Sequence, residues 1–349
     1  MNKLINPSVL EPGRIIIIGA GNWGTTLALI LARHRETILW TRDSNSAENI
    51  NEKRENFRYL EGIRLPVELT VEAFGASEIA PEDIVLIAVP SHQVRNVSEK
   101  LSGSLQGQVV VNTAKGFEHH TMKTLTQVLD DTLPISPKVV WSGPNIAREM
   151  ADGKPTRAVL ASRDMSVLSR CARMLRNDVV SFEISRDIRG VELCASLKGL
   201  LAITIGVSDG LELGDNFIGL LVSYGLREFI AIAEFMGIPR DTIYGIAGLG
   251  DCLTSSLSPH GRNRRFGRLI GEGIHPEKAV DQVGMVVEGV QMLRTITELE
   301  DLNIPLPIFS AVKRMVFNPN GDVRKLLVDT VMKYQTWAPQ HRITVGEVA

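Results

Sequence analysis

Between Arg14 and about Ile184, apolar runs of strand length recur along the chain: RIIII, TILW, DIVLIAV, QVVVN, KVVWS, RAVLAS and VVSFEI. The segments between them carry helical spacing. This alternation predicts a mostly parallel sheet with helices on both faces. Several runs are almost continuously apolar, the pattern of strands covered on both sides. After about Gly190 the strand signal stops. Long helical periodicity replaces it in VELCASLKGLLAITIGV, FIGLLVSYGLREFIAIAEFMGI and PEKAVDQVGMVVEGVQMLRTITELE, punctuated by Gly and Pro. The expected organisation is a flexible lead-in over 1–13, a doubly wound α/β domain over 14–189 and an all-α domain over 190–349.

The long apolar stretch from Asn216 to Met236 contains Arg227, Glu228 and Glu234, which a bilayer span would expel. The first residues, MNKLINPSVLEPG, lack the apolar region of a signal peptide. With 349 residues the chain has room for two domains, and a hydrophobic share of 44% beside 22% charged residues is ordinary for a soluble protein. A formal net charge of -2 gives no broad footprint for nucleic acid or an anionic membrane. Cys171, Cys194 and Cys252 lack the paired spacing of a zinc site or disulfide framework and read as buried thiols in a reducing compartment, so a cytoplasmic location is expected. No metal site is expected: there is no HExxH, and the adjacent His119 and His120 cannot easily face one ion together.

Candidate chemistry begins at RIIIIGAGNWGTTLALILAR, a strand, a glycine turn and an apolar helix. In that context Gly19 permits the tight turn, Gly21 lets the backbone approach a pyrophosphate, and Gly24 allows close helix–sheet packing. The first domain therefore reads as a Rossmann-type dinucleotide-binding unit. After the second strand, Arg42 precedes Asp43; arginine favours the 2′-phosphate of NADP, and the aspartate keeps NAD open. In the second domain Lys198 is the only charge in CASLKGLLAI. An ammonium in such a run either snorkels to water or works in a cleft, where neighbours tune its pKa.

Further stretches complete a recognisable series: VPSH (89–92), AKGFE (114–118), SGPNIAREM (142–150), GLGDCLTSS (248–256), GRNRRFG (261–267) and VVEG (286–289). In order and spacing, from about residue 14 to 290, the chain resembles NAD(P)-dependent glycerol-3-phosphate dehydrogenases. The resemblance implies reversible hydride transfer between the nicotinamide and C2 of a three-carbon phosphate, dihydroxyacetone phosphate to sn-glycerol 3-phosphate, supplying glycerophospholipid synthesis. It implies Lys198 as the catalytic lysine. It also implies Lys115, Gly143, Asn145, Asp251, Arg262 and Asn263 at the substrate. At the cofactor it implies Gly19, Gly21, Asn22, Trp23, Gly24, Arg42, Lys115, Ala147, Arg262, Val286 and Glu288. Arg264 and Arg265 are expected on a solvated basic face, and His92 in a structural role.

The chain departs from that pattern in two places. Gly199 stands where the family usually has asparagine after the lysine, which removes an amide donor. In DNFIGLLVSYGL, Phe217, Leu220 and Leu221 are bulkier than usual and Tyr224 replaces an arginine. Two alternatives therefore stand beside the dehydrogenase: a non-catalytic NAD(P)-binding sensor, or a related enzyme for another hydroxy acid or opine. A homodimer through the helical domain is a hypothesis drawn from its apolar character.

Overall fold

The structure, a computed structural model, describes residues 13–118, 121, 123–258 and 261–334. Most of the expected lead-in, the His119–His120 pair and the chain beyond 334 lie outside the described residues. Eight strands form one sheet: β1 (Ile15–Ile18), β2 (Thr37–Thr41), β3 (Leu69–Ala73), β4 (Ile84–Ile87), β5 (Val109–Asn112), β6 (Lys138–Ser142), β7 (Thr156–Ala161) and β8 (Val180–Ser185). Their order is β3-β2-β1-β4-β5-β6-β7-β8. Around them lie helices α1 (Asn22–Ala32), α2 (Ser44–Lys53), α3 (Phe57–Leu60), α4 (Val94–Leu101), α5 (Leu125–Thr132), α6 (Ala147–Ala151) and α7 (Met165–Leu175).

β1 shows why both faces are covered. Ile15 and Ile17 share a core with Leu27 and Leu31 of α1, while Ile16 and Ile18 share the opposite core with Val94 of α4 and Leu129 of α5. The chain leaves β1 between β2 and β4, at the point where strand order reverses and a crevice opens beyond the strand ends. β3 adds an eighth strand to the seven that the apolar runs predict. It lies at the sheet edge, burying Leu69 and Val71 and exposing Thr70, so LTVEA has no continuous apolar run. β7 runs antiparallel to β6. The link between them holds only the five-residue α6, and direction is not encoded in runs as apolar as VVW and AVLA.

The second part comprises α8 (Ile188–Gly210), α9 (Asp215–Phe235), α10 (Arg240–Tyr244), α11 (Asp251–Leu257), α12 (Arg262–Gly271), α13 (Pro276–Val283), α14 (Glu288–Asp301), α15 (Pro307–Phe317) and α16 (Val323–Met332). Among the described residues it contains no strand. Asp187 caps α8, accepting the Gly190 N–H at 2.9 Å, so the helix begins slightly before the boundary expected after residue 189. α8 is apolar all round because it is enclosed all round.

Glycines set how closely α12 approaches it. A Cβ on Gly206 would lie 2.1 Å from the Arg264 carbonyl oxygen, and one on Gly267 would lie 2.0 Å from that of Ile203. The two backbones are in direct contact, which brings the start of α12 against the helix that carries Lys198. The charge inside apolar α9 has a similar reason. Glu228 is buried and accepts the N–H groups of Ile308, at 2.7 Å, and Phe309, at 3.0 Å, capping α15. Burial pushes its carboxyl up to about 8, against the pull of those two donors. α8 and α9 each have the length and hydropathy of a membrane span, but 94% of the α8 window is buried inside the protein, against 39% for α9.

Gly206→Ala should destabilise the protein by roughly 1–3 kcal/mol through overpacking. Gly219→Ala, on α9, where a Cβ would meet nothing within 4 Å, should be stabilising by about 0.4–1 kcal/mol. Urea midpoints at unchanged slope measure both. A Gly206→Ala protein as stable as its parent would contradict the backbone contact.

Candidate active site

The glycine loop after β1 has the geometry expected of an anion cradle. Gly19 sits at φ +110°, and a Cβ there would lie 2.8 Å from the Ala88 carbonyl oxygen. A Cβ on Gly24 would lie 1.9 Å from the carbonyl oxygen of Gly19, so only glycine lets α1 start this close to the turn. A Cβ on Gly21 would meet nothing within 4 Å, which leaves its outer side open. The first turn of α1 contains no acidic residue and receives no side-chain cap, so its N–H groups and dipole suit a diphosphate. Asn22 is exposed at that end. Trp23 packs edge-on against Trp141 with ring centroids 6.0 Å apart.

β2 runs parallel to β1, and just beyond its C-terminal end Arg42 is exposed. Asp43 caps α2 instead of reaching outward; its carboxylate accepts the Ser46 N–H at 2.8 Å, and that bond holds its pKa low. Both residues that bear on NAD against NADP face solvent; they differ in that the Asp43 carboxylate is engaged at the start of α2.

The centre of the site is Asp251, the first residue of α11, only 1% exposed. One oxygen accepts Lys115 Nζ at 2.8 Å and the other accepts Lys198 Nζ at 2.8 Å. Lys115 comes from the loop after β5, where Asn112 ties the turn through the Ala114 N–H at 3.1 Å. Lys198 comes from α8, so the carboxylate joins the two parts of the chain. Asp251 is therefore a double ion-pair partner, and Gly250 occupies the N-cap position of α11.

Burial would raise the Asp251 pKa, but the two ammonium groups hold it below the usual range. Burial pushes Lys115 down to about 8; Asp251 opposes this and the charge on Lys198 adds to it. Burial also pulls Lys198 down, yet Asp251 outweighs it, with help from Glu288, and holds the ammonium above its ordinary value. The cluster thus sheds its first proton near the Lys115 value.

Around this centre, Lys115, Phe117, Lys198, Gly199, Asn263 and Glu288 line a cavity of about 150 Å³. Gly143, at φ +126°, offers its carbonyl to Lys115 Nζ at 3.4 Å and to Asn145 Nδ2 at 2.6 Å. Trp141 Nε1 donates to Asn145 Oδ1 at 3.5 Å, and Thr26 of α1 donates to the Ala147 carbonyl at 3.4 Å, so the segment after β6 leans on the glycine-loop helix. Arg262 is exposed at the start of α12. Val286 is exposed just before α14, and Glu288 is half-buried as its first residue.

Two expectations change. Arg264 is no solvated charge: it pairs with Asp209 at 2.6 Å and donates to the Leu257 carbonyl at 2.6 Å, tying α12 to the end of α8. Arg265 donates to the Gln282 carbonyl at 3.0 Å. His92 is exposed on a short turn after β4, away from the structural role expected of it. The three cysteines are buried and free, as expected. Among the described residues no group of three or more His, Cys, Asp or Glu is placed to hold a metal.

The departures from the family pattern have packing explanations. A Cβ on Gly199 would lie 3.0 Å from both Gly289 Cα and Asn263 Nδ2. Gly289 N–H in turn donates to Asn263 Oδ1 at 3.0 Å. α14 therefore closes onto α8 through two glycines, and the bond to Oδ1 orients the Asn263 amide beside Lys198. Tyr224 stacks on Tyr334 at 4.3 Å with planes 4° apart, and Leu221 is fully buried. Sequence reasoning missed Asn56, a buried residue whose Nδ2 donates to the Ala20 carbonyl at 2.9 Å and to Thr25 Oγ1 at 2.8 Å, bracing the glycine loop from below. Its only local signal is a polar residue before FRYL.

A Rossmann-type sheet with a glycine-loop cradle, joined to a helical domain by a lysine–aspartate–lysine cluster, defines an NAD(P)-dependent oxidoreductase. Residues 14–168 match the NAD-dependent glycerol-3-phosphate dehydrogenase N-terminus and residues 187–327 its C-terminus. The chain belongs to the NAD-dependent glycerol-3-phosphate dehydrogenase family. It is 35% identical over 321 residues to an NAD(P)+ glycerol-3-phosphate dehydrogenase of Clostridium tetani, covering 91% of each chain. It is 36% identical over 318 residues to that of Clostridium acetobutylicum, covering 90% of this chain and 95% of the relative. The solved glycerol-3-phosphate dehydrogenase of Coxiella burnetii superposes with a TM-score of 0.85 at 31% identity, over 92% of this chain and 99% of that one.

Gly199→Asn should not restore a missing contact. Its side chain would displace Asn263 and α14, and kcat/KM should fall at least tenfold. A rise in kcat/KM, measured by steady-state kinetics, would contradict the packing account.

Proposed function

We propose that this chain reduces dihydroxyacetone phosphate to sn-glycerol 3-phosphate, and runs the reverse reaction, with NADP and also NAD as coenzyme. The observation that carries the reading is the single buried carboxylate of Asp251 holding both Lys115 and Lys198 in the cleft. When bound, the nicotinamide supplies or receives the hydride. Gly19, Gly21, Asn22, Trp23 and Gly24 would hold its diphosphate, Arg42 the adenosine end, and Lys115, Ala147, Arg262, Val286 and Glu288 the remainder.

Reduction puts negative charge on the C2 oxygen. Lys198 stabilises that charge and gives its proton to the oxygen; in the reverse direction the neutral amine takes the proton from the hydroxyl. Asp251 fixes the Nζ position and keeps Lys198 charged. Lys115, Gly143 and Asn145 flank the substrate, and Arg262 and Asn263 receive its phosphate, where a guanidinium and an amide at a helix start match the anion. Gly199 and Tyr224, the residues behind the sensor alternative, both have packing roles that leave the two lysines in place.

The product would supply the glycerol phosphate backbone of phospholipids. The three unlinked buried thiols support a cytoplasmic location, and the net charge of -2 argues against a nucleic-acid partner. A homodimer would cover the apolar side of α9, which is much less enclosed than α8.

Purified protein should oxidise NADPH in the presence of dihydroxyacetone phosphate, and Lys198→Ala should lower kcat by about 10²–10⁴. NADPH binding without turnover would overturn the reading. Lys115 flanks the anionic substrate as an ammonium, so kcat/KM of the reduction should fall as that charge is lost, with pH rising through about 8. In Lys115→Met, Lys198 alone shares Asp251, and the fall should move to higher pH. An unmoved limb in that variant would contradict the shared-carboxylate assignment.

A further inference from the structure

Glu192 is a carboxylate that the chemistry above does not use. It lies on α8, less than two turns before Lys198, and is only 5% exposed. Its Oε1 accepts the backbone N–H of Thr126 at 2.8 Å, in the first turn of α5. The rest of that helix start is closed by its own capping box: Thr124 Oγ1 accepts the Gln127 N–H at 3.3 Å, and Gln127 Oε1 accepts the Thr124 N–H at 2.9 Å. The Thr126 donor is thus answered by a side chain from the other part of the protein, where a carboxylate also meets the positive end of the helix.

The segment that reaches this point is the one that carries Lys115. It doubles back on itself, with a bridge between Phe117 and Thr124 and a hydrogen bond from Glu118 N–H to the Lys123 carbonyl at 2.9 Å. Fixing Thr126 therefore fixes the return leg of a loop whose outgoing leg holds Lys115. Glu192 Oε2 and Thr126 Oγ1 are buried and make no well-formed hydrogen bond, although the hydroxyls of Thr124 and Thr126 lie near enough to favour the carboxylate, so the bond to the Thr126 N–H is the firm link between the two elements.

We propose that Glu192 is a positioning residue for this reaction: its bond to Thr126 clips the Lys115 loop to the Lys198 helix, so that both ammonium groups reach Asp251. Burial raises the Glu192 pKa, in keeping with a group whose value here is as an acceptor and not as a free charge. The inference rests on the dehydrogenase reading, which the wild-type protein tests in the same assay.

The test compares Glu192→Leu, which removes the acceptor, with Glu192→Gln, which keeps an oxygen able to accept from Thr126. The readouts are dihydroxyacetone phosphate kinetics and NADPH affinity by fluorescence titration. Glu192→Leu should lose at least tenfold in kcat and raise the substrate KM, with NADPH Kd weakened by much less than kcat, because Lys115 is one of several groups at the cofactor. Glu192→Gln should stay within about threefold in kcat. If the leucine variant does not fold, Glu192→Asp, one methylene too short to reach Thr126, should show the same loss of kcat. Wild-type kcat in the leucine or aspartate variant would overturn the proposal. Equal losses in the leucine and glutamine variants, or an NADPH Kd that worsens in step with kcat, would also overturn it. A wild-type protein without turnover would instead sink the dehydrogenase reading.

Discussion

The arrangement depends on one buried carboxylate that has more charge around it than it can neutralise. Asp251 brings a negative charge into the protein and meets two ammonium groups, each at 2.8 Å, from different parts of the chain. Taking three charges out of water is costly, and removing one partner from such a cluster costs about 3–5 kcal/mol because the rest stays buried and unbalanced. The residual positive charge faces a cavity of about 150 Å³. A site built this way is complementary to an anionic substrate and to an oxygen that becomes negative during reaction.

The surroundings can be understood as what keeps that cluster in register. α8 must pass through the helical core and still present Lys198 at the cleft. It does so by letting α12 and α14 approach at glycine contacts instead of side-chain contacts, which places Asn263 beside the lysine. Two other charges in the helical part also serve as partners for groups on another element. Glu228 caps α15 from α9, and Arg264 ties α12 to Asp209. Glu228 and Arg264 are connective, and Lys198 differs in that its partner lies on the wall of a cleft.

Much of this was legible in the sequence, for identifiable reasons. Strands buried on both faces leave continuous apolar runs, so β1, β4 and β5 are plain. β3, an edge strand with Thr70 facing water, leaves none. The glycine loop announces itself because glycine is obligatory at two of its contacts. The lysine was conspicuous as a lone charge, and the family resemblance supplied Asp251 and Lys115 as its neighbours. Contacts made by ordinary polar residues across the fold could not be read. Asn56 under the glycine loop, Glu192 on Thr126 and Arg264 on Asp209 all depend on tertiary placement. Asp43 illustrates the converse: its position after β2 suggested a ribose ligand, whereas the local geometry uses it to start α2. Gly199 looked like a lost amide, and the structure instead uses its missing side chain to seat α14.

The central claim is that two lysines share one carboxylate and therefore titrate apart. NMR of protein carrying 13C-labelled lysine side chains, with Lys115→Met and Lys198→Met used for assignment, measures this directly. The account predicts that Lys115 titrates near 8 and that Lys198 stays charged beyond the ordinary lysine range. Two lysines titrating together near the unperturbed value, about 10.4, would contradict it.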